Sequence, residues 1–249
     1  MKITLNSYVN KMIRGFSLPI APLKTPSVYR YKPRNISARE TIDMASKKGI
    51  SVSDYVETLW NQKSHAKTIV NRFQKLGMFD NKITTVLEIG TGTGIHAEKI
   101  IQLCQPERYE SYETDRDWAD WLARQYNLIS RNADGRSLDD SADYSIDLVF
   151  AHGVFIYIPF LTVCQYFQEI VRVTKEGGYV AFDIFSEECF DDETLRAWID
   201  SNYDIPYFLR KNYVLEFFRQ SGFKLVEEFF NDHFDVGRSK YLVFQKTRL

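Results

Sequence analysis

The chain has 249 residues, of which 44% are hydrophobic and 26% charged, and its formal net charge is −1. This composition is typical of a soluble globular protein with a substantial core, and it excludes a chain that is disordered throughout. A charge so close to zero argues against a protein that binds nucleic acid over its whole surface. No apolar run approaches the roughly 18 residues of a membrane span, so we predict no such span.

The first 39 residues form a basic stretch, with eight lysines and arginines and no acidic residue. Four prolines between positions 19 and 33 argue against a long helix there. Such a segment is typical of a solvated or strap-like arm. The alternative is a contact for an anionic group, such as a phosphorylated substrate, a carrier protein or an anionic membrane surface.

Three helices are predicted next. Their boundaries follow helix-capping patterns, with Ser37, Glu40 and Gly49 for the first, Ser51 and Asp54 for the second, and Ser64 and Gly77 for the third. One apolar face of the second helix carries Tyr55, Val56, Leu59 and Trp60.

The stretch 85–96 is an apolar, β-rich run that stops in alternating glycines, Gly90, Gly92 and Gly94, and resumes as a helical pattern. It predicts a buried strand, a tight turn and the start of a helix. Glycines allow a ligand to lie against bare backbone, and a helix N-terminus offers unpaired N–H groups. By itself this motif fits either a dinucleotide or an adenosyl cofactor.

Strands and helices then alternate, which favours a mainly parallel sheet with helices on both faces. The strands expected after the glycine turn are 108–113, 128–130, 147–152, 179–182, 223–229 and 241–245. An acidic stretch at 186–193 leads into a further helix. It is either a lid over a binding site or an exposed, well-capped helix start.

The string Val86-Leu87-Glu88-Ile89-Gly90-Thr91-Gly92-Thr93-Gly94 resembles the first motif of class I S-adenosylmethionine-dependent methyltransferases. Later matches at family-like spacing are Glu113 after the second strand, Asp134-Gly135 after the third, and Asp147 at the start of the fourth. A Gly-Gly turn before the fifth strand also fits, although Glu176 stands where a proline is common. The resemblance extends from about residue 83 to the C-terminus.

The resemblance implies an α/β fold with a seven-stranded, mostly parallel Rossmann-like sheet, whose antiparallel final strand inserts between strands five and six. It also implies two parts of the chain. Residues 1–83 would form the basic arm and a helical cap over the substrate, where Tyr55, Trp60 and His65 either line the pocket or simply pack. Residues 84–249 would form the cofactor-binding core, with a lid insertion at about 186–210.

The cofactor implied is S-adenosylmethionine, with S-adenosylhomocysteine as product. Glu113 would accept hydrogen bonds from the ribose hydroxyls, Asp134 would hold the adenine amino group, and the backbone beside it would meet the ring. A carboxylate at the place of Glu113 does the same work in dinucleotide enzymes, so that alternative stays open. The predicted cofactor-binding residues are Glu88, Gly90, Thr91, Gly92, Gly94, Glu113, Asp134, Gly135 and Ala151.

Methyl transfer from a sulfonium is an in-line displacement, so the protein mainly aligns the reacting atoms, and a hydroxyl acceptor also needs a base. Histidine is the side chain with the most suitable pKa. His152 follows strand four, which in the family lies beside the transferred methyl, and is the first candidate for catalysis. His233, in the connection between strands six and seven, is the second. We expect a structural or cofactor-side role for His96 and a place at the surface or in the cap for His65.

The acceptor is predicted to be a small molecule, and a hydroxyl of a sugar, a phosphorylated metabolite or a secondary metabolite fits best. Ala151-His152-Gly153-Val154 lacks the Asn/Asp-Pro-Pro-Tyr string of amino-group methyltransferases that act on DNA bases or protein amides. No acid follows strand four to hold a divalent ion, so no metal is predicted.

Three other functions remain open at this point. They are N-methylation of a small molecule, a catalytically silent S-adenosylmethionine-binding partner protein, and a nicotinamide-dependent oxidoreductase. Three cysteines, an odd number without metal-ligand spacing, suit a reducing cytoplasm. A homodimer is a further possibility, since exposed aromatic residues on the cap would serve either a dimer or a pocket.

Overall fold

The computed structural model describes residues 36–60, 62–80, 82–201, 205–233 and 237–247. Its helices are α1 (Ala38–Lys48), α2 (Val52–Leu59), α3 (His65–Lys75), α4 (Ile95–Cys104), α5 (Arg116–Tyr126), α6 (Phe160–Val173), α7 (Asp192–Ser201) and α8 (Lys211–Gln220). Its strands are β1 (Thr85–Ile89), β2 (Arg108–Tyr112), β3 (Ile129–Ser130), β4 (Ile146–Ala151), β5 (Thr174–Ile184), β6 (Phe223–His233) and β7 (Gly237–Lys246). Within these ranges, no helix is both long and apolar enough to cross a bilayer.

The seven strands form one sheet in the order β3-β2-β1-β4-β5-β7-β6. Strands β1 to β5 pair in parallel, and β7 runs antiparallel to both of its neighbours, β5 and β6. This is the predicted Rossmann-like sheet, including the insertion of the last strand between strands five and six. The carboxyl ends of β1 to β5 therefore meet at one edge, where such sheets bind their ligands.

Helices cover both faces of the sheet. On one face α6 and α8 bury Phe167, Ile170 and Phe218 against β4, β5 and β7. On the other face α3, α4 and α5 pack in a second cluster that contains Phe73 and Leu122. Because α3 lies directly on the sheet, it completes the core layer in addition to any role as a cap.

The start signals of the first two helices are confirmed. The Ser37 hydroxyl accepts a hydrogen bond from the N–H of Glu40 at 3.3 Å, and the Ser51 hydroxyl accepts one from the N–H of Asp54 at 3.0 Å. The predicted apolar face of α2 is wrong at Leu59, which is 42% exposed. The other three residues of that face, Tyr55, Val56 and Trp60, are buried or partly buried. The buried side of the helix also includes Val52, Ser53 and Glu57, and the last two hydrogen-bond to Glu98 and to the N–H of Ser64.

Helices α1 and α2 are fastened to the core by polar contacts as well as by packing. The indole N–H of Trp118 in α5 donates to the carbonyl oxygen of Ile36 at 2.9 Å. The hydroxyl of Ser53 in α2 donates to the carboxylate of Glu98 in α4. The division into residues 1–83 and 84–249 stays a prediction, and the basic arm lies, up to residue 35, outside the described residues.

The acidic stretch after β5 is anchored to the strands and helix beside it. The Glu188 carboxylate pairs with Lys211 and with Lys240, the latter at 3.0 Å, and the guanidinium of Arg238 donates to the Glu188 carbonyl oxygen at 2.8 Å. The Asp191 side chain accepts a hydrogen bond from the N–H of Thr194 at 2.8 Å and so caps α7. The lid interpretation of this insertion stays a prediction.

At the opposite, amino edge of the sheet, Asp147 ties three strands together. Its Oδ2 accepts hydrogen bonds from the N–H groups of Thr84 and Thr85 at 3.0 and 2.9 Å, and its Oδ1 pairs with Lys175 at 2.7 Å. Partial burial acts against ionisation, but the hydrogen bonds to the carboxylate, above all from Lys175, lower the pKa of Asp147 to about 2.

Replacing this side chain tests how much it stabilises the sheet. Asp147→Asn preserves the shape but removes the charge, so we expect the free energy of unfolding at pH 7 to fall by about 2 kcal/mol in urea denaturation. Because the pKa is lowered in the folded state, this contribution is lost as the pH falls from 3.8 toward 2, and the two proteins should converge there. Asp143→Asn, which breaks an ion pair with Arg172 at an exposed site, is the control and should cost less than about 1 kcal/mol. Equal losses from both variants would show that Asp147 has no special role.

Candidate functional site

The glycine turn after β1 lies at the carboxyl edge of the sheet. Gly90 has φ +66°, and a Cβ built on it would lie 2.6 Å from Cγ2 of Val154, in the loop after β4. Gly94 is the residue that precedes α4, and a Cβ there would lie 2.5 Å from Leu122 in α5. Gly92 differs, because its Cβ would meet only the carbonyl oxygen of Gly90, at 3.9 Å. Two glycines therefore allow close packing, and Gly92 faces open space.

Glu113 joins the turn after β1 to the turn after β2. Its Oε2 accepts a hydrogen bond from the N–H of Gly92 at 2.6 Å, and its Oε1 accepts one from the N–H of Asp115 at 2.8 Å. Each carboxylate oxygen has a second lone pair, so the side chain can still accept bonds from a ligand. The half-buried carboxylate is thus held in place at the edge where the resemblance predicts the ribose.

The loop that carries Asp134 and Gly135 comes to the same place. A Cβ on Gly135 would lie 3.9 Å from the methyl group of Thr114, the residue after Glu113. The Asp134 Oδ1 accepts hydrogen bonds from the N–H groups of Arg136 and Ser137 at 2.8 and 2.7 Å, which shape the turn. The structure therefore brings Asp134, Gly135 and Glu113 together, as expected for residues that contact one ligand.

Thr91 and Glu88 lie below the turn, inside the protein. The Thr91 hydroxyl is 2.8 Å from the hydroxyl of Ser111, and Glu88 accepts a hydrogen bond from the Tyr109 hydroxyl at 2.6 Å. Burial raises the pKa of Glu88 to about 8, although the bond from Tyr109 acts the other way. These side chains support the turn from beneath, and their contact with a cofactor stays a prediction.

His152 is the first residue after β4, next to Ala151, which pairs in register with Ile89 of β1. Its Nδ1 lies 2.6 Å from the hydroxyl of Tyr241 in β7 and 4.0 Å from Oδ2 of Asp183 in β5. The other carboxylate oxygen of Asp183 accepts a hydrogen bond from the N–H of Gly153 at 2.7 Å. Three neighbouring strands therefore orient this imidazole at the carboxyl edge.

Two further imidazoles lie against His152. The ring centroid of His96, in the first turn of α4, is 4.3 Å away, and that of His65, in the first turn of α3, is 5.7 Å away. Burial lowers the pKa of all three histidines, to about 3 for His152 and well below the usual value for His96. All three are therefore uncharged at neutral pH.

This cluster extends the site beyond the sequence prediction. His96 is a neighbour of His152 as well as a part of the first helix, and His65 is partly buried beside the same ring. The sequence could have predicted that His96 and His152 lie close together, because they follow β1 and β4, which are adjacent strands in this fold. Tyr241 and Asp183 carry no comparable sequence signal, whereas His65 is one of the cap residues predicted either to line the pocket or to pack. His233 is the last residue of β6, and its side chain lies outside the described part of the structure.

No group of three or more His, Cys, Asp or Glu side chains in the described ranges has a geometry that would hold a metal ion. The absence of a metal from the reaction stays a prediction.

Comparison with known proteins identifies the fold and the family. A family model described as a methyltransferase domain matches residues 53–228. A malonyl-[acyl-carrier protein] O-methyltransferase from Marinomonas sp. (strain MWYL1) is 28% identical over 152 residues, which are 59% of this chain. The chain spans about half of that relative, since the match covers 55% of its length.

Solved structures with the same fold include two that contain S-adenosyl-l-homocysteine. The N-methyltransferase NodS from Bradyrhizobium japonicum WM9 superposes with a TM-score of 0.58 at 14% identity, covering 84% of this chain and 99% of NodS. The magnesium protoporphyrin IX methyltransferase from Synechocystis PCC 6803 superposes with a TM-score of 0.57 at 12% identity, covering 75% and 84% of the two chains. At these identities the likeness establishes the fold alone.

The lowered pKa of His152 predicts a dependence of stability on pH. The unfolded chain takes up a proton on this residue below about 6.5 while the folded protein does so only near 3, so stability falls as the pH is lowered between these values. Between pH 7 and pH 5, wild-type protein should lose roughly 2 kcal/mol of unfolding free energy relative to His152→Gln in urea denaturation.

Lys67→Gln, an exposed change on α3, is the control for this measurement, and its curve should run parallel to that of the wild type. Glu88 changes stability in the opposite direction, because its raised pKa makes the folded protein more stable as the pH falls. Wild type and His152→Gln both contain Glu88, so this effect cancels when the two are compared. A constant difference between wild type and His152→Gln across this pH range would mean that the imidazole titrates normally in the folded protein.

Proposed function

This chain belongs to the methyltransferase domain family, and we propose that it transfers the methyl group of S-adenosylmethionine to a hydroxyl oxygen of a small molecule. The observation that carries the proposal is the position of His152. A partly buried, uncharged imidazole follows β4, hydrogen-bonded to Tyr241, at the edge where the glycine turn lies.

The residues at this edge fit the cofactor. Gly92 leaves open space above the backbone, and the Glu113 carboxylate beside it retains lone pairs for two ribose hydroxyls. Asp134 and Gly135 would hold the adenine, Gly90 and Ala151 would border the methionine part, and the start of α4 at Gly94 would provide N–H groups. When bound, the cofactor supplies a methyl group on a positively charged sulfur, which is an activated leaving group.

His152 would act as the base for the acceptor. When its Nδ1–H donates to the Tyr241 oxygen, Nε2 keeps its lone pair and can take a proton. Asp183, with Oδ2 4.0 Å from Nδ1, would stabilise the resulting positive charge. A weakly basic imidazole suffices, because a hydroxyl becomes strongly acidic once its oxygen begins to bond to the methyl carbon.

The relative named as an O-methyltransferase supports transfer to oxygen, and the basic stretch supports an acceptor with an anionic part, such as a phosphorylated sugar. Sugars and hydroxylated secondary metabolites are the classes to screen first. The second predicted base, His233, remains a candidate.

We also propose a cytoplasmic location, because Cys104, Cys164 and Cys189 are all free thiols and form no disulfide with one another.

The cofactor assignment is tested by calorimetric titration with S-adenosylmethionine, S-adenosylhomocysteine and, as a control ligand, NAD. We expect micromolar binding of the first two and none of NAD. Glu113→Ala removes both acceptors for the ribose and should weaken binding roughly 100-fold. Asp120→Ala, an exposed change on α5, is the matched control. Undiminished affinity in Glu113→Ala would refute the ribose assignment, and binding of NAD alone would favour an oxidoreductase.

The base is tested with an acceptor found by screening. His152→Gln should lower kcat for a hydroxyl acceptor about 10²- to 10⁴-fold and leave the Kd for S-adenosylhomocysteine within about twofold of wild type. A neutral amine needs no base, so the same variant should methylate an amine acceptor at close to the wild-type rate. Full activity of His152→Gln on a hydroxyl acceptor would assign the base elsewhere, with His233→Gln as the next variant. Turnover of any acceptor would exclude a catalytically silent protein.

A further inference from the structure

Three buried polar atoms near His152 lack a hydrogen-bond partner among the described residues. They are Oε1 of Glu57, Nε2 of His65 and Nε2 of His96. Folded proteins leave few buried polar atoms unpaired, because each such atom has lost its bonds to water and gained none in return. Three of them around one pair of histidines mark a place where a molecule outside the chain, water or a ligand, would complete the bonding.

The three atoms belong to one site. His65 and His96 both contact the ring of His152. Glu57 is fixed beside His65, since its Oε2 accepts a hydrogen bond from the N–H of Ser64 at 2.7 Å. Helices α2 and α3 thus supply Glu57 and His65, and the first turn of α4 supplies His96. The rings of His65 and His96 thus lie against the imidazole that we propose as the base, and Glu57 lies beside His65.

The charges around the site select the kind of group that can bind. The charged groups that act on His65 are Asp183, Glu57 and Asp232, and within the described ranges no lysine or arginine acts on any of the three imidazoles. A carboxylate or phosphate placed here would face carboxylates and uncharged rings and would pay a large desolvation cost. The Glu57 oxygen only accepts hydrogen bonds, so its partner must be a donor.

We propose that Glu57, His65 and His96 bind the reacting end of the methyl acceptor, and that this end is an uncharged hydroxyl or amino group. The inference rests on the proposed function and adds the chemical class of its substrate. Any phosphate or carboxylate that the acceptor carries must then lie outside this cluster.

The test uses the full-length chain with S-adenosylhomocysteine bound and its histidines labelled with ¹⁵N. Long-range ¹H–¹⁵N spectra report the ring nitrogens, and His65→Gln identifies the signals of His65. The probes are ethanol, acetate and inorganic phosphate. Ethanol and acetate both have two carbon atoms and are small, so they differ mainly in charge and not in size. We expect ethanol to shift the Nε2 signals of His65 and His96 in a saturable way, and acetate and phosphate to leave them in place.

Glu57→Gln is the decisive variant. The amide oxygen still accepts the bond from Ser64, but an N–H donor replaces the unpaired acceptor, so the apparent affinity for ethanol should fall roughly tenfold. Lys67→Gln on α3 is the control and should respond as wild type. Circular dichroism would check that each variant is folded. Of the two substitutions within the site, His65→Gln is the milder one, because His65 is only partly buried.

The outcomes separate the two proposals. If calorimetry on the same sample shows S-adenosylhomocysteine binding and no probe shifts the histidine signals, the acceptor-end proposal is wrong and the methyltransferase function stands. If S-adenosylhomocysteine does not bind, the proposed function fails first. Larger shifts with acetate or phosphate than with ethanol would overturn the proposal. Stoichiometric binding of Zn²⁺ that moves the signals of all three histidines would also overturn it, because the cluster would then be a metal site.

Discussion

The register between β1 and β4 is the constraint on which the site depends. Ile89 lies opposite Ala151, so these two parallel strands end at the same level, and Gly90 and His152 follow side by side. The loop after β4 then crosses so close to the turn that Val154 occupies the space of a side chain at Gly90. Any larger residue at Gly90 would push the glycine turn away from the loop that carries His152, and so separate the proposed cofactor site from the proposed base.

Stabilising and functional features occupy opposite edges of the same sheet. At the amino edge, Asp147 is saturated with hydrogen bonds and holds the beginnings of β1, β4 and β5 together. At the carboxyl edge, the protein keeps uncharged imidazoles and unpaired polar atoms in its interior, which reduces stability. This arrangement is expected in a site that binds a polar ligand, because polar groups that are already hydrogen-bonded within the chain cannot bond to the ligand.

Most of the fold could be predicted. The glycine turn and the alternation of strands with helices are local patterns that predict a mainly parallel sheet, whereas the place of the antiparallel last strand was implied by the resemblance to the family. His152 could also be predicted, because its position follows from a strand end. Its partners were not predictable in this way, since Tyr241 lies 89 positions along the chain and meets His152 only through the pairing of β7. The error at Leu59 has a related cause, because hydrophobicity alone favoured Leu59 over Ser53, which is buried and hydrogen-bonds to Glu98 in another helix.

Strand β7 is the last strand to be synthesised, although it lies between β5 and β6 in the sheet. On a ribosome, strands β1 to β5 emerge first and can already align the glycine turn beside His152, with Glu113 clamped to it. Tyr241 emerges later and must then insert between β5 and β6. A nascent chain can therefore form the proposed cofactor loop before Tyr241 is available to orient His152, so the proposed binding and catalytic parts of the site would be completed at different stages of synthesis.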